Sequence, residues 1–270
     1  MKDNLQTRLN AVVLGGVTLS ILMAIIRSFF LFTAYDAKMG YFSGIASPLL
    51  TTLYGIITLA LAASPLLFSK DTVRILPTAG AVSSSIKALN AFIFFFGGIV
   101  FWTRGAQNSI KTELIAGIFL IASTLYFLFS FLSDIPKFSG SLQSKRPWTC
   151  FFPILSFILL LANSYFDMTV TINGPFATLR LFSLLAGAVF LLNEIRADID
   201  CPLPRFHLGA SLVAFFLIFS SSVSNFLLCI KKSGALGATV SDPMCHLILI
   251  TFSLFVLLRL LSFGTVKQEN

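Results

Sequence analysis

The chain has 270 residues, of which 56% are hydrophobic and only 11% charged, with a mean hydropathy of +0.90. A soluble domain carries about 25% charged residues to keep its surface wetted, so most of this surface meets lipid rather than water. The formal charge of +8 does not indicate a nucleic-acid binder: the 19 Lys and Arg residues stand singly or in pairs between apolar runs instead of clustering on one face.

The expected architecture is an all-α transmembrane bundle of about eight helices, each of about 20 mostly apolar residues to cross roughly 30 Å of hydrocarbon. The runs fall near residues 9–33, 46–68, 83–103, 114–132, 150–166, 176–192, 206–230 and 245–264. The first follows Lys2 and Arg8 and contains Arg27. It is too long for a signal peptide and lacks a small-x-small cleavage site, so it reads as a retained span. The fifth and sixth, at about 17 residues each, sit at the short limit, which calls either for little tilt or for extension by their flanks. Connections are short; the longest, 133–149, is too small for a separate domain. Residues 1–270 therefore read as one polytopic unit, with a candidate division into halves 1–135 and 136–270.

Basic residues set the expected orientation. With the N-terminus in the cytoplasm, ten lie in inner segments: Lys2, Arg8, Lys70, Arg74, Lys137, Lys145, Arg146, Arg196, Arg205 and Lys267. Five lie in outer segments: Lys38, Arg104, Lys111, Lys231 and Lys232. The bias places both termini in the cytoplasm. The remaining four, Arg27, Lys87, Arg180 and Arg259, fall inside spans; Lys87 and Arg259 lie near inner helix ends, where snorkelling to the headgroups is easy.

Two short correspondences suggest related halves. Tyr35-Asp36 and Tyr165-Phe166-Asp167 are offset by 130 residues, and Leu76-Pro77 and Leu203-Pro204 by 127. Four spans per half would make the repeats parallel, an arrangement known in transporters; chance agreement in a biased composition is the competing explanation. The stretch from Tyr165 to Pro175, with Asn193-Glu194-Ile195-Arg196 closing the next span, resembles segments of uncharacterised polytopic membrane proteins of Clostridia-type bacteria. The resemblance implies a bacterial cytoplasmic membrane and an all-helical fold. It implies no activity.

Motifs for chemistry are sparse. His207 at the inner start of the seventh span and His246 at the outer start of the eighth read as interfacial residues on opposite sides of the membrane, and no His-Glu-x-x-His or Cys-x-x-Cys pair supports a zinc site. No phosphate-binding loop or nucleophile elbow appears, and no cofactor is expected. Cys229 and Cys245 flank the last outer loop, where a disulfide would close it; small apolar packing is the more ordinary role. Glu194, Asp198 and Asp200 alternate around Arg196 on the inner side and are the carboxylates a lipid-modifying enzyme would use near a headgroup; the plainer account is a solvated loop balancing its own charge.

Polarity gathers in the outer halves of the spans. Arg27 lies about two turns below the end of the first span, ~10 Å by helical rise. Arg180 lies about one turn into the sixth, below Asp167 and Asn173; Asn163 and Ser164 lie near the end of the fifth. In the seventh, Ser220 stacks on Ser224 and Ser221 on Asn225, giving adjacent polar strips. A charge at the bilayer centre costs about 2.5–3.5 kcal/mol on insertion scales, so intramembrane arginines call for partners or a wet cavity. Pairing of Asp167 with Arg27 or Arg180 would leave one cation facing an anion. Arg27, Asp167, Arg180, Asn163, Ser221, Ser224 and Asn225 are thus the candidate ligand-binding set, with a small anionic or zwitterionic solute as the expected ligand. The plainer account is snorkelling arginines and serines that pack helices.

Three functions compete: a transporter-like or ligand-binding protein, a membrane subunit or sensor assembling with a protein partner, and an intramembrane lipid-modifying enzyme. The last lacks a visible nucleophile–base or metal pair. An assembly subunit would use a face of small residues such as Ala186-Gly187-Ala188.

Overall fold

Inside hydrocarbon no water pairs with backbone N–H and C=O groups, so long apolar runs must satisfy them internally as helix. The structure, a computed structural model, describes residues 3–36, 41–69, 72–78, 80–135, 145–166, 175–231 and 243–265. Among these residues, 8 helical segments are long and apolar enough to cross a membrane, and the chain is a multi-pass helical membrane protein.

The helices are α1 (Asp3–Thr33), α2 (Ala46–Ala63, continued by a 3-10 turn Ser64–Leu67), α3 (Ala81–Gln107) and α4 (Lys111–Leu132). They are followed by α5 (Arg146–Thr149), α6 (Phe151–Phe166), α7 (Pro175–Asp198), α8 (Pro204–Lys231) and α9 (Pro243–Leu261). The two short runs are lengthened by their flanks. The fifth span gains α5, and α7 continues six residues past the apolar run to Asp198. The polar residues of that extension are accommodated because Glu194 and Asp198 are paired inside the protein.

Six helices close a ring in which α3 packs on α4, α4 on α6, α6 on α7, α7 on α8, α8 on α9 and α9 on α3. Five helices of the ring contribute a phenylalanine to one buried cluster: Phe94, Phe127, Phe157, Phe190 and Phe252. Phe94 and Phe127 have ring centroids 4.7 Å apart, Phe157 and Phe252 4.8 Å, and Phe190 and Phe252 5.8 Å. Much of the phenylalanine therefore fills a core instead of facing lipid. Helices α1 and α2 stand outside the ring and lean on α8. That makes α8 the most enclosed span, 67% buried over its apolar window, against 22% for α2.

An even number of spans returns both termini to one end of the bundle, here the termini end. There β3 (Val73–Ile75) pairs antiparallel with β4 (Phe263–Thr265), Val73 opposite Thr265 and Ile75 opposite Phe263. Gln6 Oε1 accepts from both Thr265 N and Thr265 Oγ1 at 2.9 Å, so the start of α1, the α2–α3 connection and the end of α9 are tied together. At the far end, β1 (Tyr35–Asp36) and β2 (Tyr41–Phe42) form a small ladder between α1 and α2.

Glycine sets the closest helix pair. A Cβ on Gly98 would stand 2.7 Å from Ile121 N and 2.8 Å from Gly117 O, and one on Gly105 would strike Leu114 N, so α3 and α4 touch backbone to backbone. Gly15 on α1 has open space where its Cβ would be. Gly98→Ala should cost about 1–3 kcal/mol through overpacking, read as a lower melting temperature in detergent. Gly15→Ala should leave melting unchanged or slightly raised; equal effects would deny the close contact.

Candidate functional site

The polar residues of the far half separate into three places. Asn163 lies between α4 and α6: its Oδ1 accepts from Thr112 Oγ1 at 2.9 Å, and its Nδ2 reaches Glu113 Oε1 at 3.5 Å. Glu113 also takes a two-pronged bond from Arg104, at 3.0 Å from Nε and 2.8 Å from Nη2. Arg180 is buried and donates from Nη2 to Cys245 Sγ at 3.1 Å, so it turns from α7 towards α9. Cys229 and Cys245 are not bonded to each other. Asp167 and Asn173 lie outside the described residues.

The third place is the face of α8 that carries α1 and α2. Arg27 is 2% exposed, and its Nη2 donates to Asn225 Oδ1 at 3.1 Å. Tyr54 on α2 donates its hydroxyl to Ser220 Oγ at 3.0 Å and packs its ring 5.4 Å from Phe216. Ser221 Oγ lies 3.0 Å from Ser183 Oγ of α7, and Ser183 also donates to Leu217 O. Ser224 bonds back to its own helix at Ser220 O and Ser221 O. The serine strip is therefore mainly helix packing, and only its edges reach Arg27 and Tyr54.

Beside this face lies a cavity of about 520 Å³, between α2 and α7 and floored by Leu217 of α8. Arg27 forms its head with Phe42, whose ring centroid is 6.0 Å from the guanidinium carbon. Ser47, Thr51, Tyr54 and Thr58 reach it from one face of α2, at the helical spacing of three or four residues, and Thr178 comes from α7. Leu50, Leu59, Leu179 and Phe182 complete the walls. An apolar cavity of a few hundred Å³ with a few convergent polar groups is the usual form of a small-molecule site.

A second polar assembly occupies the termini end. Glu194, with no exposure, accepts from Arg259 Nε at 2.6 Å and Nη2 at 2.5 Å. Arg146 Nη2 lies 3.5 Å from the same carboxylate, and its Nε lies 3.1 Å from Asp198 Oδ2. His207 Nε2 stands 3.0 Å from Glu194 Oε1, off the line of a straight hydrogen bond. Lys87 donates to both oxygens of Asp134 at 2.7 and 2.8 Å, and to Thr78 O.

Three expectations are thereby corrected. Lys87 and Arg259 are 2% and 6% exposed and face carboxylates across the bundle instead of snorkelling. The acidic run is no solvated loop: α7 continues through Glu194 and Asp198, and of the run only Arg196 and Asp200, the latter in the turn beyond the helix, are exposed. His207 and His246 are buried rather than interfacial. On α7, a Cβ on Gly187 would meet Phe157 Cε2 at 2.6 Å, so that glycine packs inside the bundle.

The termini-end assembly brings together a carboxylate and an imidazole, the minimal kit for proton transfer. Both are sealed from lipid and solvent, and Arg259 occupies both oxygens of Glu194, so the arrangement works as a tie. Among the described residues, no group of three His, Cys, Asp or Glu side chains could hold a metal ion. No protein-family model, no curated protein and no solved structure matches the chain.

Removing one partner of a buried pair strands the other charge, at a cost of about 3–5 kcal/mol, whereas replacing both by apolar residues is often nearly neutral. Arg259→Met should accordingly cost about 3–5 kcal/mol. Glu194→Leu combined with Arg259→Met should recover more than half of the loss, measured by denaturation in mixed micelles. A double variant no better than the single one would contradict the tie.

Proposed function

We propose that this protein is a transporter-like, ligand-binding membrane protein whose site is the cavity between α2 and α7, where Arg27 meets the anionic group of a solute. One observation carries the reading: a buried guanidinium forms the head of a 520 Å³ cavity whose other walls are apolar or hydroxyl-bearing. Arg27 also donates to the side-chain oxygen of Asn225, which holds the guanidinium at the wall of the cavity. A guanidinium in a low-dielectric wall offers several parallel N–H donors suited to a carboxylate or phosphate.

The excess of basic residues in the segments that the sequence assigns to the inner side, ten against five, supports a cytoplasmic location for both termini. The cavity then opens in the outer half of the membrane. The resemblance to Clostridia-type membrane proteins supports a bacterial cytoplasmic membrane as its setting. Assembly with a protein partner is favoured less, because Gly187 of the small-residue face on α7 already packs against Phe157 and Ile218.

The test is thiol access in nanodiscs, with the four native cysteines replaced and single cysteines placed at Thr51 or Ser224. A membrane-impermeant maleimide should label the Thr51→Cys protein and spare Ser224→Cys. Butyrate at about twice its dissociation constant should slow the Thr51→Cys reaction about threefold, and should do nothing in an Arg27→Gln background. Protection at both positions, or labelling indifferent to butyrate, would sink the reading.

A further inference from the structure

On α2 the cavity reaches Thr58 and Leu59. One turn further along α2, at Ala62, a second cavity of about 490 Å³ begins between the same two helices and over the same face of α8. Its α8 wall starts at Val213, one turn from the Leu217 that floors the first cavity, and it ends at Arg205, whose Nε donates to Pro65 O at 2.8 Å. The two cavities lie end to end between α2 and α7 over one face of α8, a groove in two parts. From Leu50 to Pro65 the groove runs ~22 Å by helical rise, longer than the ~15 Å of a single leaflet's hydrocarbon.

Its chemistry is graded along that length. Arg27 and the α2 hydroxyls stand at the far end. Beyond Thr58 the walls are apolar up to Arg205, with small or branched floor residues such as Ala210 and Val213 leaving depth between the exposed rims of Leu59 and Phe182. A small hydrophilic anion would use only the head of such a groove and leave most of its apolar wall uncovered.

We infer that the groove is an acyl-chain track: the ligand is an anionic single-chain amphiphile whose head meets Arg27 and whose chain lies along α8 between α2 and α7. This rests on the Arg27 cavity being the binding site and names the class of molecule it takes. The head lies at the far end by Arg27 and the tail towards Pro65, where Arg205 Nε is already engaged with Pro65 O. The gap between α2 and α7 gives the ligand access sideways from the bilayer.

A palmitate carrying a diazirine near its tail, photolysed with the full-length protein in nanodiscs, tests the inference. Adducts should concentrate on Ala62, Val189 and Val213. Palmitate should compete and hexadecanol should not. The yield should fall about tenfold in Arg27→Gln, the scale of one lost hydrogen bond to a charged group, and Arg27→Lys should restore part of it. Gly55→Phe supplies an independent block, because nothing lies within 4 Å of a Cβ at that position and the ring would fill the cavity without a clash at its root. It keeps the test decisive if Arg27→Gln folds poorly.

Adducts spread equally over the lipid-facing Phe92 and Phe96 of α3 would mean ordinary bilayer contact and overturn the track. Loss of labelling in Arg205→Gln with Arg27→Gln unaffected would place the head at the wrong end and overturn it too. If butyrate slows Thr51→Cys labelling but palmitate leaves no adducts in the groove, the Arg27 site stands and the acyl track falls. If neither ligand has an effect, both fall.

Discussion

The Glu194 carboxylate is fully enclosed near one end of a lipid-embedded bundle, and such a group persists only with its charge answered at hydrogen-bond distance. The answer comes from Arg259 of α9 in a two-pronged bond, with Arg146 of α5 and His207 of α8 beside it. A two-pronged bond fixes rotation as well as distance, because a planar fork must meet a planar carboxylate. One turn of α7 is thus registered against three other elements at once. The Lys87–Asp134 pair does the same for α3 and the end of α4, and Arg104–Glu113 for the opposite end of that hairpin. Apolar packing inside the phenylalanine-filled ring tolerates sliding; these pairs do not.

With the ring pinned in this way, α1 and α2 are free of that duty and serve a different one. Tyr54 anchors α2 to α8 at Ser220, and Arg27 anchors α1 to α8 at Asn225. Both contacts are made at the rim of the groove, so the residues that attach the outer helices also line its head. A bound anion would engage Arg27 directly and act on the α1–α8 contact. That couples occupancy of the proposed site to the placement of the helices outside the ring.

The membrane bundle was legible because bilayer thickness and backbone hydrogen bonding leave few alternatives to ~20-residue apolar helices. Arg27 and Asn225 were legible as polar residues at similar depth, and they do meet. The candidate set as a whole was grouped by depth alone, and depth does not give azimuth. Asn163 and Arg180 lie at the right height but face α4 and α9. Tyr54 and Thr51 were passed over because a tyrosine and a threonine in an apolar run are unremarkable without the neighbour they face. The termini-end pairs were hidden for another reason. Their partners are separated by 47 residues for Lys87 and Asp134 and by 65 for Glu194 and Arg259, and each residue alone looks like an ordinary interfacial charge.

The most direct test is to purify the protein gently from membranes and analyse what it carries, comparing wild type with Arg27→Gln by mass spectrometry of extracted small molecules. An anionic amphiphile enriched over the bulk lipid in the wild type, and reduced to bulk abundance in Arg27→Gln with the fold intact, is the expected result. Identical extracts from the two proteins, matching the surrounding membrane, would contradict a ligand site at Arg27.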